Sequence, residues 1–167
     1  MYQVGDYVVK SATGICQVKD IVHPDFVPDR KKLYYLLTPL ADPNANLYVA
    51  IDKTEDSMRN VMTVKEANAL MQKIPSIQVT WIANEREREQ NYKKALQSND
   101  PEKLVGVIKL LYQRKQTRER QGKKTTAVDG RYFKLAEDLL YAELETSLQK
   151  NREEIYELIR SFCETSL

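Results

Sequence analysis

Short apolar runs alternate with turn-forming residues over about the first 60 positions, which is the pattern of β-strands. Four runs rich in Val, Ile, Tyr and Leu predict strands at residues 7–10, 15–22, 33–37 and 47–52. Glycines that permit tight bends, and prolines that exclude a helix, lie between these runs: Gly5, Gly14, Pro24, Pro28 and Pro43. Four or five strands in about 60 residues bury both faces by curling into a small barrel.

A short helix is predicted after the strands, at about residues 64–73. Thr63 and Glu66 have the spacing of a capping box at its start, and Ile74-Pro75-Ser76 ends it. The strands and this helix form the first predicted domain, residues 1–75.

The remaining residues, 76–167, have the periodicity of helices and form the second predicted domain. Residues 84–98 are strongly helix-forming, Asp100-Pro101 is a favourable helix start, and Gly122 is the expected end of that next helix. Two apolar stripes predict two more helices, the last one beginning at Asn151: Phe133, Ala136, Leu140, Leu144 and Leu148, then Ile155, Leu158, Ile159 and Phe162. The predicted fold class is α+β, a small β barrel followed by a compact all-α bundle of four helices.

The composition fits a folded chain without membrane segments. The 167 residues are 42% hydrophobic and 30% charged, with a net charge of +2. No apolar run approaches the roughly 18–20 residues that span a bilayer, and the N-terminus lacks the basic-then-apolar order of a secretory signal. We therefore expect a cytoplasmic protein with no membrane partner.

Residue types that carry catalysis or bind metals are scarce. His23 is the only histidine, and Cys16 and Cys163 lie near opposite ends of the chain without metal-ligand spacing. The five glycines form no phosphate-binding loop motif, and the acids near residue 87 alternate with arginines as on a solvated helix surface. We expect no enzyme activity, no catalytic residue, no metal, no cofactor and no small-molecule substrate.

The charges are unevenly distributed. Residues 86–124 hold 12 basic and five acidic residues, a net charge of +7, whereas residues 125–167 hold five basic and nine acidic residues, a net charge of −4. Arg114 and Arg118 are four positions apart and share a helix face along which a phosphate backbone could run. The alternative is a solvated face with ion pairs such as Lys115 with Glu119.

Trp81 is the only tryptophan and stands just ahead of the first charged helix. A lone tryptophan serves as a core or inter-domain anchor, or as an apolar wedge against unstacked bases beside basic residues. Arg86 and Arg88 would be those neighbours.

Several segments resemble the CarD/CdnL family of bacterial transcription regulators. The family's opening strand pattern is similar to Val4-Gly5-Asp6-Tyr7-Val8-Val9-Lys10 followed by Gly14-Ile15-Cys16-Gln17-Val18. Its last barrel strand and following arginine resemble Leu47-Tyr48-Val49-Ala50-Ile51-Asp52 and Arg59. Its helical half resembles Tyr92-Lys93-Lys94, residues 104–114 and residues 135–144.

The resemblance implies a fold and two partners. The N-terminal half would be a Tudor-like (SH3-like) barrel, shared with transcription-repair coupling factor, that docks on the RNA polymerase β subunit. Its contacts would come from the exposed strand edge of Leu47, Tyr48, Val49 and Ala50. The helical half would contact promoter DNA at the upstream edge of the bubble and stabilise the open complex. Its contacts would come from Trp81, Arg86, Arg88, Lys93, Lys94, Arg114 and Arg118.

Two of the proposed site residues are among the departures from the family pattern. Tyr48 stands where many members carry a basic residue. Trp81 lies about one helical turn farther from Tyr92-Lys93 than the family's wedge tryptophan, so Glu85 occupies the strict wedge position.

A protein–protein adaptor is the alternative function. Its helical half would bind another protein through the acidic residues 125–167 and their apolar stripes, and not DNA. In either case we expect the protein to function as a monomer.

Overall fold

A computed structural model describes residues 1–55 and 57–164, with the backbone alone for residues 162–164. The chain divides into two compact units, Met1–Val61 and Met62–Leu167. The side chains of Phe162 and Cys163, which the sequence analysis singled out, lie outside the described residues. In the described part of the chain, no helix combines the length and apolarity needed to cross a membrane.

The first unit is a five-stranded antiparallel sheet with the spatial order β4-β3-β2-β1-β5. Its strands are β1 (Tyr7–Lys10), β2 (Gly14–Val22), β3 (Tyr34–Pro39), β4 (Leu47–Ala50) and β5 (Met58–Asn60). The four predicted strands are confirmed, and β5 is the fifth. Gly14, with a φ of 96°, makes the bend that joins β1 to β2, a conformation that glycine adopts without strain.

The sheet is open. Among the described strands β4 and β5 end the strand order on opposite sides and do not pair with each other, so the predicted closed barrel is not confirmed. These two end strands have only four and three residues, so they offer few backbone groups for the hydrogen bonds that would close a barrel. A register shift between Val18 and Asp20 marks a bulge, which bends β2.

One face of the sheet covers the apolar core of the first unit. The core side chains are Val8, Cys16, Val18, Tyr35, Leu37, Val49 and Met58. Tyr2 also packs there, and its backbone N–H donates to the Tyr35 hydroxyl at 2.9 Å. The N-terminal segment is thereby fastened to the sheet.

The described part of the second unit, residues 62–164, contains five α-helices: α1 (Val64–Lys73), α2 (Glu85–Gln97), α3 (Pro101–Arg120), α4 (Ala127–Leu148) and α5 (Arg152–Glu164). The predicted caps are confirmed. The Thr63 side chain accepts from the Glu66 N–H at 3.1 Å, and the Asp100 side chain accepts from the Glu102 N–H at 2.9 Å. Gly122, with a φ of 72°, lets the chain turn back so that the Lys123 N–H reaches the Arg118 carbonyl at 2.8 Å.

Helix α1 belongs structurally to the helical unit. Its buried side chains Ala67, Leu70 and Met71 join a core with Leu144 of α4 and Ile155 of α5. The Glu143 carboxylate accepts from the Met62 N–H at 2.9 Å just ahead of this helix. The structural units therefore divide earlier than the domain boundary that the sequence places at residue 75, because the apolar face of α1 packs on helices.

A second helical core joins α2, α3 and α4 through Tyr92, Ala95, Val107, Leu110, Leu111, Tyr132 and Ala136. Lys109 of α3 donates to the carbonyls of Ile74 at 2.8 Å and Ile77 at 2.7 Å, where α1 ends. This lysine therefore fixes the start of the segment that leads to Trp81.

Candidate functional site

Strand β4 presents an unpaired edge in the described sheet. It pairs on one side with β3, with Val49 opposite Tyr35 and Tyr48 opposite Leu36. Leu47 and Val49 pack on the core, while Tyr48 points to the other face and is 41% exposed. Ala50 is buried. The backbone N–H and carbonyl groups on the far side of β4 are a template for an added strand.

An exposed aromatic pair lies beside this edge. The Phe26 ring is 66% exposed and meets the Tyr48 ring edge-on, with 5.1 Å between the centroids. The loop that carries Phe26 is closed by His23, whose Nδ1 lies 2.9 Å from the Lys32 carbonyl oxygen. Phe26 was not predicted from the sequence as a site residue. The available signal was a single aromatic residue in a loop bounded by Pro24 and Pro28.

The Cys16 thiol lies in the core of the first unit. It is fully buried beneath the sheet, and burial raises the pKa of its thiol to about 11. A buried thiol with a raised pKa is not nucleophilic at neutral pH.

Trp81 lies in residues 77–83, outside any helix or strand, and is 56% exposed. The guanidinium carbon of Arg114 lies over the indole, 5.6 Å from the ring centroid. This is the geometry of a cation–π contact. The tryptophan is therefore presented at the surface of the helical unit with a cation against its ring.

Arg114 is a buried residue. It is 7% exposed, and its Nε donates to the Asp129 Oδ2 at 2.8 Å. The Tyr92 hydroxyl donates to the other carboxylate oxygen, Oδ1, at 2.9 Å. Burial, and after it this hydrogen bond, raises the pKa of Tyr92 to about 12.

Arg118 was predicted to share a helix face with Arg114, and the two guanidinium groups have different hydrogen-bond partners. Arg118 is half-buried and its Nε donates to the Lys124 carbonyl at 2.7 Å, beside the exposed Arg120 and Lys123. The basic loop after α3 is thus folded back against the helix end.

Arg86 and Arg88 also differ in their surroundings. Arg86 is exposed. Arg88 is buried, and its Nη1 donates to the carbonyls of Ile82 at 3.1 Å and Ala83 at 2.8 Å. Arg88 thereby fastens the backbone that directly follows Trp81.

Lys93 and Lys94 are exposed on α2. Lys93 lies 3.6 Å from the Glu89 carboxylate, a surface pair that water screens strongly. Lys94 lines a cavity of about 550 Å³ between residues 77–82, α2 and α3, together with the exposed Lys103. Asp100 and Glu102 also line this cavity, so both lysines and acids surround it.

Asp129 is the residue of this region that the sequence analysis missed. It lies three positions after Thr126, which caps α4 by accepting from the Asp129 N–H at 3.1 Å. That spacing predicts an exposed capping pair. The carboxylate is instead buried between Arg114 and Tyr92.

The N-terminal residues match a known protein family. Residues 2–62 match the CarD-like/TRCF RID domain family. No curated protein matches the chain significantly. The matched residues cover the first structural unit, so the sheet of β1–β5 is similar to a CarD-like/TRCF RID domain. This confirms the resemblance at the level of that domain, which indicates a transcription-related role that involves RNA polymerase.

Proposed function

We propose, from the CarD-like/TRCF RID domain in residues 2–62, that the chain is a transcription regulator that docks on the RNA polymerase β subunit. Its helical unit contacts promoter DNA at the upstream edge of the bubble and stabilises the open complex. The observation that carries the proposal is the domain match, joined to an unpaired β4 edge in that same domain.

Docking proceeds by strand addition. The four β4 residues Leu47, Tyr48, Val49 and Ala50 offer their outer backbone groups to a strand of the β subunit. Tyr48 and Phe26 supply apolar contact beside that strand, and exposed aromatic rings are typical anchors of protein interfaces. The contact is therefore more apolar than electrostatic.

DNA contact combines one aromatic side chain with several cations. Trp81 packs against bases that are unstacked at the bubble edge. Arg86, Lys93, Lys94 and Arg118 supply charge to the phosphate backbone. Arg88 and Arg114 are buried, and they support the contact from within the unit.

Tethering explains why a net charge of +2 is enough. A docked first unit holds the helical unit at a high effective concentration beside the promoter, so weak contacts to DNA suffice. Tethered binding of this kind needs no catalytic group.

The test is co-elution of the full chain with an isolated polymerase β-subunit lobe on a sizing column. Wild type is expected to co-elute, and Tyr48→Glu is expected to weaken the complex by about tenfold or more, since it places a charge in a desolvated contact. Tyr7→Glu is the matched control, because Tyr7 is an exposed tyrosine of β1, away from the β4 edge. Equal binding by wild type and Tyr48→Glu would contradict the proposed edge, and no binding by wild type would contradict the proposed partner.

A further inference from the structure

Trp81 lies in a segment whose own conformation does not hold a large side chain in place. Residues 77–83 form neither helix nor strand. An irregular surface segment is mobile unless other elements fasten it. A side chain that must meet a base at one place needs such fastening, because preorganisation lowers the entropic cost of binding.

Arg88 fastens the backbone of this segment. It reaches back from α2, and one Nη1 atom donates to two successive carbonyls, those of Ile82 and Ala83. Its Nε is buried without a hydrogen-bond partner among the described residues. Burying a guanidinium N–H without a hydrogen bond costs free energy, so the other contacts of Arg88 must compensate for that cost.

Arg114 fastens the ring itself. Its guanidinium lies over the indole and is held from behind by Asp129 at 2.8 Å. Asp129 is held in turn by Tyr92 from α2, so α2, α3 and α4 all contribute to the placement of this cation. The indole remains 56% exposed, which leaves much of the ring open to a base.

We infer that Arg88 and Arg114 are positioning residues that hold the Trp81 indole half-exposed for contact with unstacked promoter bases, and that Asp129 acts through Arg114. The contact of the indole with promoter bases rests on the proposed function. The placement of the indole rests only on contacts within the helical unit.

Fluorescence measures the position of Trp81 directly, because the chain has one tryptophan. Arg114→Lys keeps a charge opposite Asp129 but lacks the planar group that stacks on the indole. We expect stronger acrylamide quenching and emission at longer wavelength. The ratio of the indole's fluorescence-lifetime components should change by about two- to fivefold, which is the population shift that corresponds to the loss of a cation–π contact at an exposed ring. Lys115→Arg, at the next and exposed position of α3, is the matched control and should leave all three at wild-type values.

A second variant covers the case in which Arg114→Lys does not fold. The double variant Arg114→Met with Asp129→Asn removes both charges, and neutral replacement of a buried ion pair is often tolerated. It should loosen the indole in the same way. Arg88→Met, compared with the exposed Arg86→Met on the same helix, tests the backbone contact. Either arginine is excluded from the inference if its replacement leaves the fluorescence at wild-type values.

A double-mutant cycle connects position to function. Arg114→Lys should shorten the lifetime of the polymerase–promoter open complex, and should have no further effect when Trp81 is already alanine. An undiminished effect in the Trp81→Ala background would overturn the inference, because Arg114 would then act independently of the indole. A wild-type lifetime with Trp81→Ala, alongside altered fluorescence in Arg114→Lys, would contradict the proposed DNA contact and support the positioning role.

Discussion

Arg114 and Arg118 are one turn apart on α3, yet their guanidinium groups have different partners. Arg114 is paired with the buried Asp129, and Arg118 donates to a carbonyl at the helix end. Removing one member of a buried pair leaves an uncompensated charge, whereas the half-buried Arg118 would lose one hydrogen bond and no ion-pair partner that is buried with it. The same substitution should therefore have different consequences at these two positions.

Charge reversal tests this difference. Arg114→Glu is expected to lower the free energy of unfolding by about 3–5 kcal/mol or more. Arg118→Glu is expected to lower it by about 1–2 kcal/mol, because it loses one hydrogen bond and places an acid at the end of α3. Urea unfolding of the two variants measures both values. Equal effects would contradict the assignment of Arg114 to the interior. Arg118→Glu, which keeps the fold, is the variant with which to test phosphate contact.

Tyr92 predicts a pH dependence of stability. Its pKa is raised from 10.0 to about 12, chiefly by burial and then by the hydrogen bond to Asp129. The folded state therefore holds this proton more tightly than the unfolded state, so the contribution is complete below pH 10 and is lost as the pH rises toward 12. The free energy of unfolding should fall more steeply over this range for wild type than for Tyr92→Phe, and parallel profiles would contradict the assignment.

The two glycines of α3 differ in whether their backbone conformation requires glycine. Gly106 lies inside α3, and a Cβ atom there would come no closer than 4.0 Å to a neighbour, the Ile77 methyl Cγ2. Gly122 ends the same helix with a φ of 72° and has nothing within 4 Å of an added Cβ. Space therefore permits alanine at both positions, and backbone conformation permits it only at Gly106.

We expect Gly106→Ala to raise the free energy of unfolding by about 0.5–1 kcal/mol, and Gly122→Ala to lower it by about 1 kcal/mol. Thermal unfolding of the two variants gives the signs directly. A loss of stability in Gly106→Ala would show that the space beside Ile77 is smaller than the structure has it.

Elements with strong local signals were predicted from sequence. The caps at Thr63, Asp100 and Asn151 and the glycine end of α3 depend on adjacent residues, and the structure has them where the sequence places them. The open sheet and the packing of α1 on helices depend on which distant surfaces meet, and local pattern does not specify that.

The candidate site also combines features that depend on local sequence with features that depend on distant segments. The exposure of Arg86, Lys93 and Lys94 is expected from the highly charged sequence around them. The burial of Arg88 and Arg114 depends on carbonyls and a carboxylate supplied by other segments. Helical spacing puts Arg114 and Arg118 on one side of α3, but it does not say that α4 brings Asp129 to the first of them.

At the scale of the whole molecule, we propose that one unit docks on polymerase and the other contacts DNA. Phosphate contacts release counterions, so the contribution of the helical unit should weaken with salt. An adaptor that binds protein through the acidic residues 125–167 would respond far less. Salt dependence therefore separates the two functions.

Replacing both Lys93 and Lys94 with glutamine should reduce the log–log salt slope of binding to a polymerase–promoter complex by about two. The matched control replaces Lys134 and Lys150, two exposed lysines outside the net positive segment of residues 86–124, and should leave the slope unchanged. An unchanged slope in the first variant, with binding still intact at high salt, would favour the adaptor.

The most direct test of the account is the lifetime of a promoter open complex formed by bacterial RNA polymerase, measured with and without the full chain. We predict that wild type lengthens the lifetime, and that Tyr48→Glu requires a much higher concentration for the same effect because it loses the tether. Trp81→Ala should bind polymerase normally and fail to lengthen the lifetime. A lifetime that wild type leaves unchanged, while it binds the β subunit, would contradict stabilisation of the open complex.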